Sequence, residues 1–179
     1  MNLLLKISGL IDNLNKKVGK IAGYVALLMV LVVFVDVVMR YAFKSSFVFT
    51  QELEWHLFAF VFLLGAGYTL FLDGHVRVDI FYQKLSPKGR AWTNMIGVLL
   101  FLIPGCLLII KTSLVFVYNA WIVSECSPDP GGIPLRFIVK SFIPIGFVLV
   151  FLQGISLGIK SFAVIAEKDI KTEEHTKKG

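Results

Sequence analysis

The sequence contains few charged residues and only two cysteines. Asp, Glu, Lys and Arg together make up 17% of the 179 residues, whereas charged residues make up about 25% of a typical soluble domain. Cys106 and Cys126 show neither the paired spacing of a disulfide framework nor the spacing of a metal site. A soluble globular domain, a disulfide-stabilised scaffold and a zinc-binding domain are therefore poor descriptions of this chain.

Long apolar runs occupy most of the sequence instead. Four of them lie at about residues 21–43, 53–72, 92–123 and 137–166. Each has the ~20 mostly apolar residues that a helix needs to cross a ~30 Å hydrocarbon core. Backbone polar groups in lipid must be satisfied within their own segment, so such runs are helical. The sequence predicts an all-α integral membrane protein, with one four-helix domain at residues 1–166 and a charged cytoplasmic tail at residues 167–179.

Lysine and arginine are unevenly distributed among the segments that flank these runs. They are frequent before the first run, between the second and third runs, and after the fourth run, but sparse in the other two connections. Because short basic segments stay on the cytoplasmic side of a membrane, both termini are predicted to face the cytoplasm. This distribution explains the net charge of +6, which gives no indication of nucleic-acid binding.

The residues before the first run form an amphipathic pattern. Leu3, Ile7, Leu10 and Leu14 recur at near-helical spacing, and lysines occupy the other faces. This pattern predicts an N-terminal amphipathic helix that lies in the cytoplasmic membrane interface. The alternative is that these residues simply extend the first membrane-spanning helix.

Five polar residues lie within the first two runs or beside them, where polar groups are costly. They are Asp36, Arg40, Glu52, Glu54 and His56. Asp36 and Arg40 share one helix face as an i,i+4 pair, and the other three begin the second helix at the same membrane level. We predict a charge network that holds the first hairpin together, because the cluster contains its own counter-charge and lies away from the bilayer midplane. The alternative role is a proton or ion relay.

Two of the connections have distinctive sequences. The inner connection, between the second and third runs, contains Gly74, His75, Arg77 and Asp79. We expect this motif to fix the connection against the helix ends or against lipid headgroups. The outer connection, at residues 124–134, is rich in proline and glycine and cannot be helical throughout.

No catalytic or cofactor-binding constellation is evident in the sequence. The histidines His56, His75 and His175 fall near the outer face, in the inner connection and in the tail, so two of them cannot easily ligate one haem. The sequence also lacks a phosphate-binding loop, a zinc motif and the internal repeat found in many secondary transporters. We therefore expect neither an enzyme nor a metal or cofactor site, and the chain has the features of an accessory subunit.

Several segments resemble one family of membrane proteins. These segments are residues 36–41, 52–70, 73–82 and 133–146. They are similar to the small membrane subunit, called DctQ, of tripartite ATP-independent periplasmic (TRAP) transporters. The block Gly-His-Val-Arg-Val-Asp at residues 74–79 is the most specific piece, and the resemblance extends over about residues 15–165.

The resemblance implies partners, a role and a location. In that family the small subunit pairs with a large membrane subunit, which holds the substrate and sodium sites and moves as an elevator. A soluble periplasmic protein delivers an organic anion to the complex. The small subunit acts as a scaffold, so sodium is expected on the partner and not on this chain. A bacterial or archaeal inner membrane, and contact with membrane lipids, are also implied.

Two further expectations complete the sequence-based interpretation. Glu125, Asp129 and Arg136 lie in the outer connection or beside it and are candidates for contact with the periplasmic protein. The competing hypothesis is a self-assembling small four-helix transporter or channel that uses Asp36 as its coupling acid. The neighbouring Arg40 favours the accessory role, because a cation so close keeps the carboxylate ionised rather than ready to exchange protons.

Overall fold

The computed structural model describes residues 2–72 and 85–176, and the side chains of residues 3–72 and 85–166. The helices are α1 (Asn2–Ala42), α2 (Val48–Phe71), α3 (Pro87–Gly97), α4 (Ile103–Ile122) and α5 (Phe137–Thr176), and the π-helical turn Val98–Leu102 joins α3 to α4. The described residues contain no strand. In the same described residues, four segments are long and apolar enough to span a membrane: Leu3–Ala42, Val48–Phe71, Pro87–Ile122 and Phe137–Ala166. The predicted all-helical architecture with four spans is confirmed.

The first helix begins much earlier than the first apolar run. α1 continues without a break for 41 residues, about 60 Å at 1.5 Å per residue, which is about twice the thickness of a hydrocarbon core. The N-terminal segment is therefore helical, but it extends the first span and is not a separate interfacial helix. Its polar side chains bond to α5, which explains why it stays in line with the rest of α1.

A proline explains the irregular centre of the third span. α3 begins at Pro87 after the N-cap residue Ser86, a combination that favours helix initiation. Further on, the Ile103 N–H bonds to the Val98 carbonyl five residues earlier, which is the π-helical register. Pro104 comes next, and because proline has no N–H and its ring crowds the preceding turn, a regular α-helix cannot continue unchanged.

α5 is the central helix, because it packs against each of the other four described helices. Its glycines allow the backbones to come close: a Cβ at Gly146 would overlap the Leu63 carbonyl of α2, and one at Gly154 would overlap the Leu102 side chain. Small residues permit this approach between membrane helices. α5 also continues to Thr176, so most of the charged tail is an extension of the last span.

Large apolar side chains cover much of the outer surface of the bundle. Tyr24, Leu27 and Phe34 of α1 are each more than half exposed, and so are Leu108 and Tyr118 of α4. Contiguous exposed apolar surface of this kind marks contact with a membrane or with another protein. The outward faces of α1 and α4 are therefore surfaces for lipid or for other membrane helices.

Candidate functional site

Polar side chains are concentrated at the two ends of the bundle. Residues 123–136 form the loop between α4 and α5. At one end of the bundle this loop lies near the α1–α2 connection, and we call this end the loop end. The opposite end, where the first turns of α1 lie beside α5, is the terminal end. Each end contains one acidic side chain that accepts several hydrogen bonds, and the two sites are built differently.

At the loop end, Glu52 of α2 is the centre of the site. Its Oε1 atom accepts hydrogen bonds from Ser127 Oγ at 2.5 Å and from Arg136 Nη2 at 3.0 Å. Its Oε2 atom accepts the backbone N–H of Ile133. The side chain is almost completely shielded from solvent. One residue of α2 thus holds three separate points of the loop, through the charge-assisted hydrogen bonds that are the stronger kind.

The loop folds closely around this carboxylate. Ser127 Oγ, besides donating to Glu52, accepts the backbone N–H of Asp129 at 3.2 Å. A Cβ at Gly132 would overlap the Ser127 side chain and crowd the carboxylate, so a residue without a side chain is required there. Gly131 beside it has a φ of 84°, a conformation that glycine adopts without strain. The two glycines therefore permit the tight path of the loop.

A second charged group lies between α1 and α2. Asp36 is buried and forms an ion pair with Arg40 one turn later. Glu54 is close enough to interact with both charges, and its Oε1 atom is buried with no hydrogen-bond partner among the described residues. His56 lies elsewhere, where its Nδ1 atom donates to the backbone carbonyl of Glu52 at 2.6 Å.

The five residues expected to form one network are therefore divided between two places. Asp36, Arg40 and Glu54 interact across the α1–α2 contact, whereas the Glu52 carboxylate is directed toward the loop. Residues two apart on a helix point in directions roughly 200° apart, because a turn holds 3.6 residues. The sequence places Glu52 and Glu54 at one membrane level, but helix geometry separates their partners.

The loop residues considered for partner contact have different surroundings. Arg136 is bound to Glu52, and Glu125 forms an ion pair with Lys140 of α5. Asp129 is exposed, so it alone of the three candidates has no side-chain bond described within the loop end. The motif of the inner connection, Gly74, His75, Arg77 and Asp79, lies outside the described residues.

At the terminal end, Asp12 of α1 binds three side chains of α5. Its Oδ1 atom accepts hydrogen bonds from Ser156 Oγ at 2.7 Å and from Gln153 Nε2 at 3.0 Å. Its Oδ2 atom accepts a hydrogen bond from Lys160 Nζ at 2.5 Å. Ser156 and Gln153 are buried, and a buried polar group is stable only when it is hydrogen-bonded. The carboxylate therefore joins the start of the chain to its last span.

Two further pairs extend this contact. The hydroxyls of Ser8 and Ser156 are 2.7 Å apart, and Asn15 Nδ2 donates to Gln153 Oε1 at 2.9 Å. Asn15 is completely buried, and its Oδ1 atom occupies the space that a Cβ would need at Gly67 of α2. The terminal end therefore brings α1, α2 and α5 together at a single polar contact.

This terminal-end cluster was not predicted from the sequence. Asp12 and Lys160 are 148 residues apart, so no local motif contains both. The signal that is present is a pair of matching polar stripes: Ser8, Asp12 and Asn15 on α1, and Gln153, Ser156 and Lys160 on α5. Each stripe has the i, i+3 or i+4, i+7 spacing of one helix face. Two such polar stripes in a membrane protein are expected to pack against each other, because burying a polar group without a hydrogen-bond partner costs free energy.

The arrangement at both ends favours a structural role. Among the described side chains, those of residues 3–72 and 85–166, no three His, Cys, Asp or Glu residues come together as a metal site. The carboxylates of Glu52 and Asp12 are instead surrounded by donors from their own chain. They act as acceptors that attach α5 and its preceding loop to α1 and α2.

The sequence is similar to those of known membrane transport proteins. Residues 29–163 match the family described as tripartite ATP-independent periplasmic transporters, DctQ component. The chain is 34% identical over 138 residues to a Haemophilus influenzae protein named as a TRAP transporter small permease. The aligned region covers 76% of this chain and 85% of that protein. This chain belongs to the DctQ family of small permeases. The ectoine TRAP transporter small permease TeaB of Halomonas elongata is also similar, with 28% identity over 156 residues, 87% of this chain and 79% of that protein.

As a DctQ component, this small permease is a multi-pass inner-membrane protein and a component of a transporter. The matched region contains the whole loop end, including Glu52 and Arg136. It also contains Lys160 on the α5 side of the terminal end. Asp12 and the rest of the α1 side precede residue 29 and lie outside the match. The family resemblance therefore covers one site completely and the other only in part.

Proposed function

We propose that this small permease is the accessory scaffold subunit of a TRAP transporter and pairs with a large, elevator-type membrane subunit. One observation carries the proposal: the carboxylates of Glu52 and Asp12 each accept three hydrogen bonds from donors of the same chain. A carboxylate that binds a substrate or a coupling ion needs coordination positions open to that ligand. These two are committed to holding helices and a loop, which is the role of a scaffold. The substrate and sodium sites then belong to the large subunit.

The apolar surface supports a partner in the membrane. α5 is the most buried of the four spans, and α1 is the least. The exposed faces of α1 and α4 carry aliphatic and aromatic side chains such as Phe34 and Leu108. Membrane helices associate by close packing of such faces, without a hydrophobic driving force. A rigid small subunit with broad apolar faces can enlarge the immobile part of a transporter whose other part moves.

The proposed topology assigns the loop end to the periplasm. Both termini then face the cytoplasm, in agreement with the distribution of lysine and arginine. Loop 123–136, with Asp129 exposed, would face a periplasmic binding protein that delivers an organic anion to the complex. Uptake would be driven by sodium bound to the large subunit.

The rival hypothesis makes Asp36 a coupling acid in a self-assembling small transporter. The ion pair between Asp36 and Arg40 favours the scaffold, because an acid that cycles between protonation states works poorly beside a fixed cation. The position of the pair near the end of α1, where the helix reaches Ala42, also argues against a site at the bilayer midplane.

Reconstitution distinguishes the two hypotheses. This chain would be placed in liposomes alone, with its large membrane subunit, and with that subunit plus the periplasmic binding protein, and sodium-driven uptake of labelled organic acids would be measured. Uptake that requires all three components is the expected result. Uptake by this chain alone would overturn the scaffold proposal.

A further inference from the structure

Lys111 is a basic residue on the outward face of α4, within the third membrane span. It is exposed, and the residues one turn away on the same face, Leu107, Leu108, Leu114 and Val115, are each more than half exposed. The buried residues of α4 are Cys106, Ser113 and Ala120. Because a turn holds 3.6 residues, Lys111 points about 150° away from that buried side. The lysine therefore lies at the centre of an exposed apolar face.

Lys111 has no partner in the part of the chain that the structure describes. Within residues 3–72 and 85–166, it forms no hydrogen bond, ion pair or ring contact. The acidic side chains of these residues lie toward the two ends of the bundle, and four of them already pair with a basic residue of the same chain. Those pairs are Asp12–Lys160, Asp36–Arg40, Glu52–Arg136 and Glu125–Lys140. A counter-charge for Lys111 must therefore come from another molecule.

The position of Lys111 along the span keeps it away from the lipid headgroups. Trp121, near the end of α4, is exposed, and tryptophan is enriched at the boundary between hydrocarbon and water. Lys111 comes ten residues earlier, about 15 Å along the helix axis, and half of a hydrocarbon core is also about 15 Å. Helix side chains tilt toward the N-terminus, so Lys111 tilts away from Trp121. The long basic side chains that reach the headgroups lie near helix ends, and this lysine does not.

We propose that this face of α4 packs on a membrane-spanning helix of the large subunit, and that this helix carries an Asp or Glu side chain opposite Lys111. A charge at this depth is costly unless it is paired, and a carboxylate is the side chain that complements an ammonium. Leu107, Leu108, Leu114 and Val115 would supply the surrounding helix packing. The inference rests on the proposed pairing with a large subunit, and it adds the face and the chemistry of that contact.

A second copy of this chain fits the face less well. In a two-fold symmetric contact both copies use the same patch, so two Lys111 side chains would lie on one small interface. Like charges placed close together in an interface are costly. Charge complementarity therefore favours a different, acidic partner over self-association.

Co-purification with the large subunit tests the contact. The large subunit would carry the tag, and the recovered small permease would be quantified for the unmodified chain, for Lys111→Met and for Lys44→Met. The control removes an exposed basic residue from the α1–α2 connection. We expect recovery to fall at least about tenfold for Lys111→Met, because the carboxylate of the partner would be left buried and unpaired, and to stay unchanged for Lys44→Met. Unchanged recovery of Lys111→Met, or an equal fall in both variants, would overturn the inference.

Unfolding of each chain alone separates a lost contact from a lost fold. Because Lys111 bonds to no described side chain, Lys111→Met should unfold at the same temperature as the unmodified chain or at a higher one. A lower unfolding temperature would make Lys111 part of the fold of its own chain, against the inference. If the unmodified chain does not bind the large subunit, the scaffold proposal itself fails. Binding that is insensitive to Lys111 removes only the inference drawn from this face.

Crosslinking identifies what lies on the face. A photo-crosslinking amino acid would replace Val115 in the purified complex, and the crosslinked peptide would be located by mass spectrometry. We expect a membrane span of the large subunit with an Asp or Glu side chain within two turns of the crosslinked residue. Crosslinks to a second copy of this chain, or to lipid alone, would contradict the proposed partner. A crosslinked span without an acidic residue would contradict the proposed ion pair.

Discussion

The loop end and the terminal end each depend on one carboxylate, but the carboxylates hold different things. Glu52 binds side chains and backbone of a loop that has no regular structure of its own. Asp12 binds three side chains on one face of α5, a helix whose backbone is already satisfied. The Glu52 carboxylate therefore determines the conformation of the loop. The Asp12 carboxylate instead fixes the contact between α1 and α5, two helices that form without it.

This difference predicts different consequences when each site is broken. Loss of the Glu52 carboxylate should release loop 123–136 and leave α1 on α5. Loss of the Asp12 carboxylate should loosen the start of α1 and leave the loop intact. Hydrogen exchange reports such local opening segment by segment, so the two ends can be followed independently in one experiment.

The largest effect is expected for Glu52→Ala. The variant leaves the Arg136 guanidinium without its carboxylate and the Ile133 N–H without its acceptor, and an uncompensated partner of this kind is strongly destabilising. We expect the largest fall in unfolding temperature of the set, with faster hydrogen exchange confined to loop 123–136. Gln51→Ala is the matched control, because Gln51 precedes Glu52 in the chain and its side chain donates to the exposed Ser46 hydroxyl rather than to the loop. Equal falls in both variants would contradict the assignment.

The next effect is expected for Gly67→Ala. The new Cβ would overlap Asn15 Oδ1 and crowd the Leu149 backbone, and overpacking of this kind costs about 2 kcal/mol. Gly23→Ala is the control, since no atom lies within 4 Å of its Cβ position, and better helix propensity should make it neutral or stabilising by up to ~1 kcal/mol. Chemical unfolding of both variants gives the comparison. A Gly67→Ala variant as stable as Gly23→Ala would show that α1 and α2 are not in close contact there.

A smaller effect is expected for Asp12→Ala. The variant removes an acceptor shared by Ser156, Gln153 and Lys160, and we expect a loss of about 1.5 kcal/mol because the carboxylate is partly exposed. Hydrogen exchange should increase in the first turns of α1 but not in loop 123–136. Faster hydrogen exchange in loop 123–136 of this variant would contradict the conclusion that the two ends are stabilised independently.

The smallest effect is expected for Glu125→Gln, at the edge of the loop end. Its ion pair with Lys140 is partly exposed, and pairs of this kind contribute about 0.5 kcal/mol. Lys140 also keeps its position over the Phe116 ring at 4.0 Å, which limits the loss. Unfolding temperatures at low and high salt provide the measurement. A fall in unfolding temperature as large as that of Glu52→Ala would show that the Glu125–Lys140 pair stabilises the loop as much as Glu52 does, which would contradict the central role of Glu52.

The four spans could be predicted from the sequence because length and hydropathy are local properties. The sequence also indicated a helix before the first run, but it did not show that this helix is continuous with the first span, because the apolar run begins only near residue 21 while α1 begins at Asn2. The lysines before that run resemble a boundary in any hydropathy pattern. What keeps this segment in line with the span is its contact with α5, which lies at the other end of the chain.

In the polar sites, too, contacts between residues close in sequence could be predicted, and contacts between residues far apart in sequence could not. The contact between Asp36 and Arg40 follows from i,i+4 spacing within one helix. The bonds from Glu52 to the loop and from Asp12 to α5 join residues far apart in sequence. Periodicity identifies which face of a helix is polar, but it does not identify the helix on which that face packs.

The central claim is that this small permease holds the transporter together and carries no transport site. The double variant Asp36→Asn with Arg40→Gln tests it most directly, because it removes the ion pair between buried Asp36 and Arg40 and leaves the net charge unchanged. Assembly with the large subunit and sodium-driven uptake per assembled complex would be measured in liposomes with the binding protein. We predict less assembled complex and unchanged uptake per complex. Normal assembly with uptake abolished would contradict the claim and would make Asp36 part of the transport path.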